Sequence, residues 1–204
     1  MAGGECPAAA AGGVGAWRDR GDRLGHPAGR GQVFCAVLAW CRIRFVRFAR
    51  DETAATTMAM LAECFETFGG VPAKVLADRM GCLKGGVVAN VMIPTPDYVR
   101  FATHYGFRPD FCHAHDPESK GIVEHLVGYA KRDVPIPDGE VDLAEWNRVA
   151  AAWCGEVNGV VHTETCAVPL EQLEIERLRR EVNKLKAERD ILKKATAFFA
   201  KEAT

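Results

Sequence analysis

The spacing of hydrophobic and polar positions changes several times along the chain, and each change predicts an element. From Val33 the stretch VFCAVLAW is almost continuously apolar, the pattern of a strand buried on both faces. RIRFVRFAR follows, with Ile43, Phe45 and either Val46 or Phe48 alternating with Arg42, Arg44 and Arg47, which predicts a half-exposed neighbouring strand. DETAATTMAMLAECFETFGG places Met58, Leu61, Phe65 and Phe68 on one helical face behind a run of acids and ends in Gly69-Gly70, a helix with its stop signal. PAKVLAD predicts a short buried strand ending at Asp78, Gly85-Gly86 a loop, and TPDYVRFATHYG a helix capped by Thr95 with Pro96 at its first position. RPDFCHAH predicts a further strand. PESKGIVEHLVGYAKRD then predicts a turn, residues 117 to 121, set against a helix whose first turn carries Glu124.

Strand, strand, helix, strand, helix, strand, helix is the order of an α/β fold with an antiparallel start and a parallel continuation. Beyond Pro135 and Pro137, DLAEWNRVAAAWCGEVN is an amphipathic helix with Leu143, Trp146, Val149, Ala150 and Trp153 on one side. The last segment differs in kind. Leu178, Leu185, Leu192 and Phe199 recur every seventh residue, with Ile175 and Val182 at the companion position and mixed charges between, which is about three heptads of a coiled coil. Such a seam implies a partner helix, so a homo-oligomer through the tail is expected. Residues 1–31, dominated by Gly, Ala, Arg and Asp without a steady period, are expected to form a leader lacking regular structure. The predicted organisation is a core over 32–135, a helical extension over 136–170 and a coiled-coil tail over 171–204.

Composition changes this picture little. The chain has 204 residues, 48% of them hydrophobic, enough for a real core, and a net charge of −1. Any nucleic-acid contact must therefore come from a local basic face. The eight cysteines are scattered without a CxxC pair and lie mostly in apolar runs, where a thiol acts as a small hydrophobe; this reads as a reducing compartment. No apolar run approaches the ~20 residues that span a bilayer, and the amino end has no basic segment ahead of a proper apolar one. The expectation is a soluble, cytoplasmic protein that does not engage membrane.

Asp78 is an acid at the C-terminal end of a buried parallel strand, where open α/β sheets carry their sites. Glu124, on a helix after the next strand, can face the same crevice. Two convergent carboxylates suit hard cations such as Mg²⁺, which can clamp the attacking and leaving oxygens of a phosphodiester. Plain structural roles compete: helix dipoles favour acids in a first turn, and Asp caps turns at strand ends. FCHAH with His162 and Cys166 could suggest a zinc site, but Cys112, His113 and His115 are too tightly spaced along a strand to present more than two ligands to one face and no CxxC follows; GGVVAN lacks the GK[ST] ending of a phosphate loop.

FGGVPAKVLADRM, FATHYGFRPDFCHAHDPESKGIVEHLVGYAKRD and AAWCGEVNGVVHTETCAVPLEQL together resemble the integrase core of IstA-type insertion-sequence transposases, over about residues 33 to 173. The resemblance implies an RNase H-like fold, with three antiparallel strands followed by parallel strands and helices, and a DDE triad. Asp78 would be the second acid and Glu124 the last. It also implies metal-dependent cleavage and strand transfer on DNA, with Mg²⁺ or Mn²⁺, two ions if the triad is complete. Lys120, Lys131 and Arg132 flank Glu124 as candidates for phosphate contact. The family's first Asp lies in an apolar-Asp-aromatic strand, whereas GVGAWRDRGDRLGHPAGRGQ makes a poor strand; Asp19 and Asp22 stand at plausible distances. No counterpart of the family's helix-turn-helix region is apparent in the sequence. ERLRREVNKLKAERDILKKATAFFAKE resembles the leucine-zipper end of OrfA proteins from another insertion-sequence group, as though two mobile elements were joined. The contrasting expectation is a non-catalytic remnant that only dimerises or binds DNA weakly.

Overall fold

The computed structural model describes residues 5–6, 14–19, 32–77, 81–89, 91–112, 117–135 and 142–202; for 5–6, 14–19, 117–124 and 200–202 it describes the backbone alone. The elements in chain order are β1 (Glu5–Cys6), β2 (Val14–Asp19), β3 (Gln32–Val37), β4 (Arg44–Ala49), α1 (Ala54–Thr67), β5 (Val71–Pro72) and β6 (Lys74–Ala77). A 3₁₀ turn, Gly81–Leu83, leads to β7 (Lys84–Val88), β8 (Val91–Pro94), α2 (Pro96–Tyr105), β9 (Arg108–Phe111), α3 (Pro117–Asp133), α4 (Leu143–Asn158) and α5 (Pro169–Glu202).

Five strands form the central sheet in the order β4-β3-β2-β6-β9. β2, β3 and β4 are antiparallel neighbours, and β6 and β9 continue parallel to β2. This is the antiparallel-then-parallel order that the sequence led us to expect. Alternation along β3 explains its unbroken apolar run. Phe34 and Ala36 enter one hydrophobic cluster, with Leu61 and Phe65 of α1 and Tyr98 of α2. Val33, Cys35 and Val37 enter the other, with Leu126 of α3 and Trp146 and Trp153 of α4. A strand covered on both faces leaves no polar positions to alternate with.

Two expectations are corrected here. The stretch 14–19, read as part of a leader without regular structure, is β2, the middle strand. It pairs with β3 over its whole length and with β6 at Val14↔Leu76 and Gly15↔Ala77. Strand formation depends on neighbours as much as on local preference, and β2 has one on each side. β4, read as half-exposed, is buried at Phe45, Val46 and Phe48, because α1 and α4 cover its two faces.

β4 is one edge of the sheet, and α4 seals it. Asn147 accepts from the Phe48 N–H at 2.7 Å and donates to its carbonyl at 3.0 Å. Asn158, buried, does the same for Arg44, at 2.8 Å in both directions. A side-chain amide thus replaces the backbone partner that an edge strand lacks. The helix starts follow their caps: Thr53 and Thr95 hydroxyls accept from Thr56 and Tyr98 N–H, and Asp142 accepts from Ala144 and Glu145. Gly69 and Gly106, at φ 64° and 78°, supply the left-handed residues that end α1 and α2. No helix among the described residues is long and apolar enough to cross a membrane.

Candidate functional site

β6 ends at Ala77, which pairs with Gly15 of β2 and Phe111 of β9, so the chain leaves the C-terminal edge of a parallel strand there. Asp78 is the next residue in the chain and lies outside the described residues, as do Asp22, His113 and His115. Glu124 and Lys120 lie on α3 in the part described as backbone. The expected turn at 117–121 is corrected: α3 begins at Pro117, so Glu124 sits about two turns inside the helix rather than in its first. Proline is favoured at a first helical position because its missing N–H would have no partner there.

Asp19 closes β2 opposite Gln32. It is four residues beyond Gly15, the last residue paired to β6, a rise of about 13 Å along the strand. The residue one step past the Gly15–Ala77 pair is Ala16, which is followed by Trp17. Among the described residues no group of three or more His, Cys, Asp or Glu side chains is placed to hold a metal ion. Of the candidate phosphate-contacting residues with described side chains, Lys131 is half-buried and Arg132 exposed, both in the last turn of α3.

A cavity of about 300 Å³ opens beside the same helix, between α3, the turn joining β3 to β4, and the loop after α4. Its walls carry Arg42, Arg44, His125, Arg132, His162 and Glu164. Arg42 holds a left-handed backbone conformation, φ 63°, within a turn closed by its N–H to the Leu38 carbonyl at 2.8 Å. Its Nε and Nη2 each reach Oε2 of Glu164 at 3.0 Å. The Arg44 guanidinium carbon lies 5.5 Å from the centre of the Tyr129 ring, and Nη1 donates to the Val157 carbonyl at 3.3 Å. Burial lowers the Arg44 pKa from its ordinary value, with Tyr129, Cys154 and Glu164 pulling the other way. Burial, then Arg44 and Arg42, also lower His162, against the pull of Glu164. Sequence reading took Arg42 and Arg44 as the polar side of a strand. The signal that something more was present is the density of arginine in RIRFVR, more than a solvated strand face requires.

No family model matches the chain. It is 33% identical over 147 residues to the transposase for insertion sequence element IS21-like of Bacteroides fragilis, a match covering 71% of this chain and 28% of that protein. It is 24% identical over 147 residues to the transposase for insertion sequence element IS232 of Bacillus thuringiensis subsp. berliner, covering 71% of this chain and 34% of the relative. The chain is related to the insertion-sequence transposases. It spans about a third of the length of these curated relatives. In fold this transposase relative is like the HTLV-2 integrase catalytic core domain solved in complex with magnesium, at a TM-score of 0.51 and 12% identity, over 79% of this chain and 94% of that one. The RNase H-like integrase-core architecture expected from the sequence is thus the fold of this transposase relative.

Proposed function

We propose that the chain is the catalytic-core portion of a transposase that cleaves and rejoins phosphodiesters of insertion-sequence DNA, with Asp78 and Glu124 as the acids that hold Mg²⁺ or Mn²⁺. What carries the reading is chain position within this fold. Asp78 follows directly on β6, the parallel neighbour of the central strand, and the helix bearing Glu124 follows β9, the next parallel strand. Both strands end on the side of the sheet where open α/β folds carry sites. Carboxylate oxygens are the donors that hard divalent cations prefer. When bound, such an ion polarises the phosphodiester and activates the attacking hydroxyl. The role of the protein residues is to fix the ion and orient the strand, with Lys120, Lys131 and Arg132 contacting phosphates. We place the activity in the cytoplasm, in keeping with the seven free cysteines among the described residues.

A second reading is favoured by one observation. The family's first acid belongs beside the second, but β2 has Ala16 one step past the Gly15–Ala77 pair and reaches Asp19 only about 10 Å further on. On this reading the chain lacks the first acid and persists as a non-catalytic, self-associating remnant. Calorimetric titration with Mn²⁺ and a strand-transfer assay separate the two, using the chain, Asp78→Asn, Glu124→Gln, Asp19→Asn and Ala16→Asp. Metal binding and strand transfer by the unmodified chain, lost in Asp78→Asn and Glu124→Gln, support the first reading. Silence of the unmodified chain with metal binding gained in Ala16→Asp supports the second. Metal binding that survives both acid substitutions overturns the assignment of Asp78 and Glu124.

A further inference from the structure

We propose that the cavity walled by Arg42, Arg44, Arg132, His125, His162 and Glu164 is a binding site for a phosphoryl oxyanion, distinct from the two acids assigned to metal. Three arginines and two histidines line it against a single glutamate, and Arg44, Glu164 and Arg42 all act electrostatically on His162. Each guanidinium comes from a different setting: a strained turn, a half-buried strand position and the last turn of α3. The closed turn fixes the Arg42 backbone while Glu164 holds its guanidinium, and the Arg44 guanidinium is held by the Val157 carbonyl and the Tyr129 ring. Donors fixed in advance lose little freedom when an anion arrives.

Glu164 shows what the site accepts. One of its oxygens already occupies the fork of Arg42, in the geometry that a phosphoryl oxygen would take. Its side chain is 65% exposed, against 21% for Arg42, so the carboxylate can swing into water and give up its place. The burial and neighbouring cations that lower His162 would be offset by a bound anion, and its ring becomes a reporter. The phosphoryl group can come from a nucleic-acid backbone or from free phosphate. The backbone source rests on the transposase reading, and it has a geometric appeal: His125 is the chain neighbour of Glu124, so a strand held here runs beside the helix of the proposed metal ligand.

The test uses the full chain without divalent ion at low salt. Inorganic phosphate is titrated while the imidazole resonances of His125 and His162 are followed by NMR. Both are expected to shift and saturate. Arg132→Ala, at an exposed position, and Arg42→Ala should each weaken phosphate by roughly tenfold, the loss of one charge-assisted contact. Glu164→Gln should tighten it by several-fold, which general loss of structure cannot do. Asp78→Asn should bind phosphate as the unmodified chain does, so this site and the metal assignment fail separately. Competition by a short single-stranded oligonucleotide but not by its methylphosphonate analogue assigns the source to the backbone; competition by neither assigns it to free phosphate, and both support the oxyanion site. A motionless His162 ring, or a Glu164→Gln chain with unchanged affinity, overturns it.

Discussion

The sheet with its flanking helices and the long carboxyl-terminal helix obey opposite rules. In the sheet, Phe34, Cys35, Val46 and Phe45 are at most 1% exposed, and even the edge strand has its free backbone groups answered by side chains. Along α5, Ile175, Leu178, Val182, Leu185, Leu192 and Phe199 recur at coiled-coil spacing and stay 46% to 66% exposed. The first region hides its apolar surface by folding on itself. The second leaves its stripe uncovered, and we propose that a second helix covers it. Stability of the core and association through the tail should therefore be separable.

The largest effect that would test this separation is in the core. Phe34→Ala removes a ring fully buried between β3 and α1 and should cost about 3–5 kcal/mol in denaturant unfolding, with no change in subunit number before the transition. Asn158→Ala comes next. It strips both partners from the Arg44 backbone and should cost about 1–3 kcal/mol, and it should also raise light scattering on storage as the edge is exposed. Leu185→Asp reverses the pattern: the core's unfolding midpoint should move by less than about 0.5 kcal/mol equivalent, while any dimer seen by analytical ultracentrifugation should dissociate. A dimer that survives this change places the interface on the core and breaks the comparison.

The smallest effect expected is a pH dependence. His162 is held neutral more strongly in the fold than its ordinary value of 6.5 allows, first by burial and then by Arg44 and Arg42, with Glu164 opposing. The unfolded chain then binds the proton more readily than the folded one. Stability from this group is complete above pH 6.5 and is lost as pH falls through the lower folded value. His162→Gln should flatten that part of the stability curve below pH 6.5, which urea titrations at stepped pH would show. An unchanged slope would mean that the imidazole is not held as the geometry indicates.

The capped helices and the doubly covered strand were legible in the sequence because their signals are local: Thr95-Pro96, Gly106 and the unbroken VFCAVLAW each act within a few residues. β2 was not, since Gly15 and Ala16 have little strand preference and its hydrogen bonds are supplied from β3 and β6. The hairpin of β7 and β8 was read as a loop at Gly85-Gly86. Gly85 lies at a register shift between Lys84 and Gly86, where a side chain would meet the Pro94 carbonyl oxygen at 3.1 Å, so the glycine permits close approach of two strands at an irregularity. The candidate acids at 78 and 124 were singled out by their places at a strand end and on the helix after the next strand, and resemblance to a family then gave them their roles. Beyond the arginine density of RIRFVR the cavity was not legible, because its walls come from three stretches far apart in sequence.

Asn147 and Asn158 ride on the same helix as Trp146 and Trp153. Peeling that helix away would therefore strip the indoles from their packing and leave a row of unanswered amides in a single step. A molecule caught in that half-opened condition would be sticky along its side at the very moment it was weakest, so the hazard of clumping during synthesis, before residues 142–158 have docked, is built into the order in which the chain emerges.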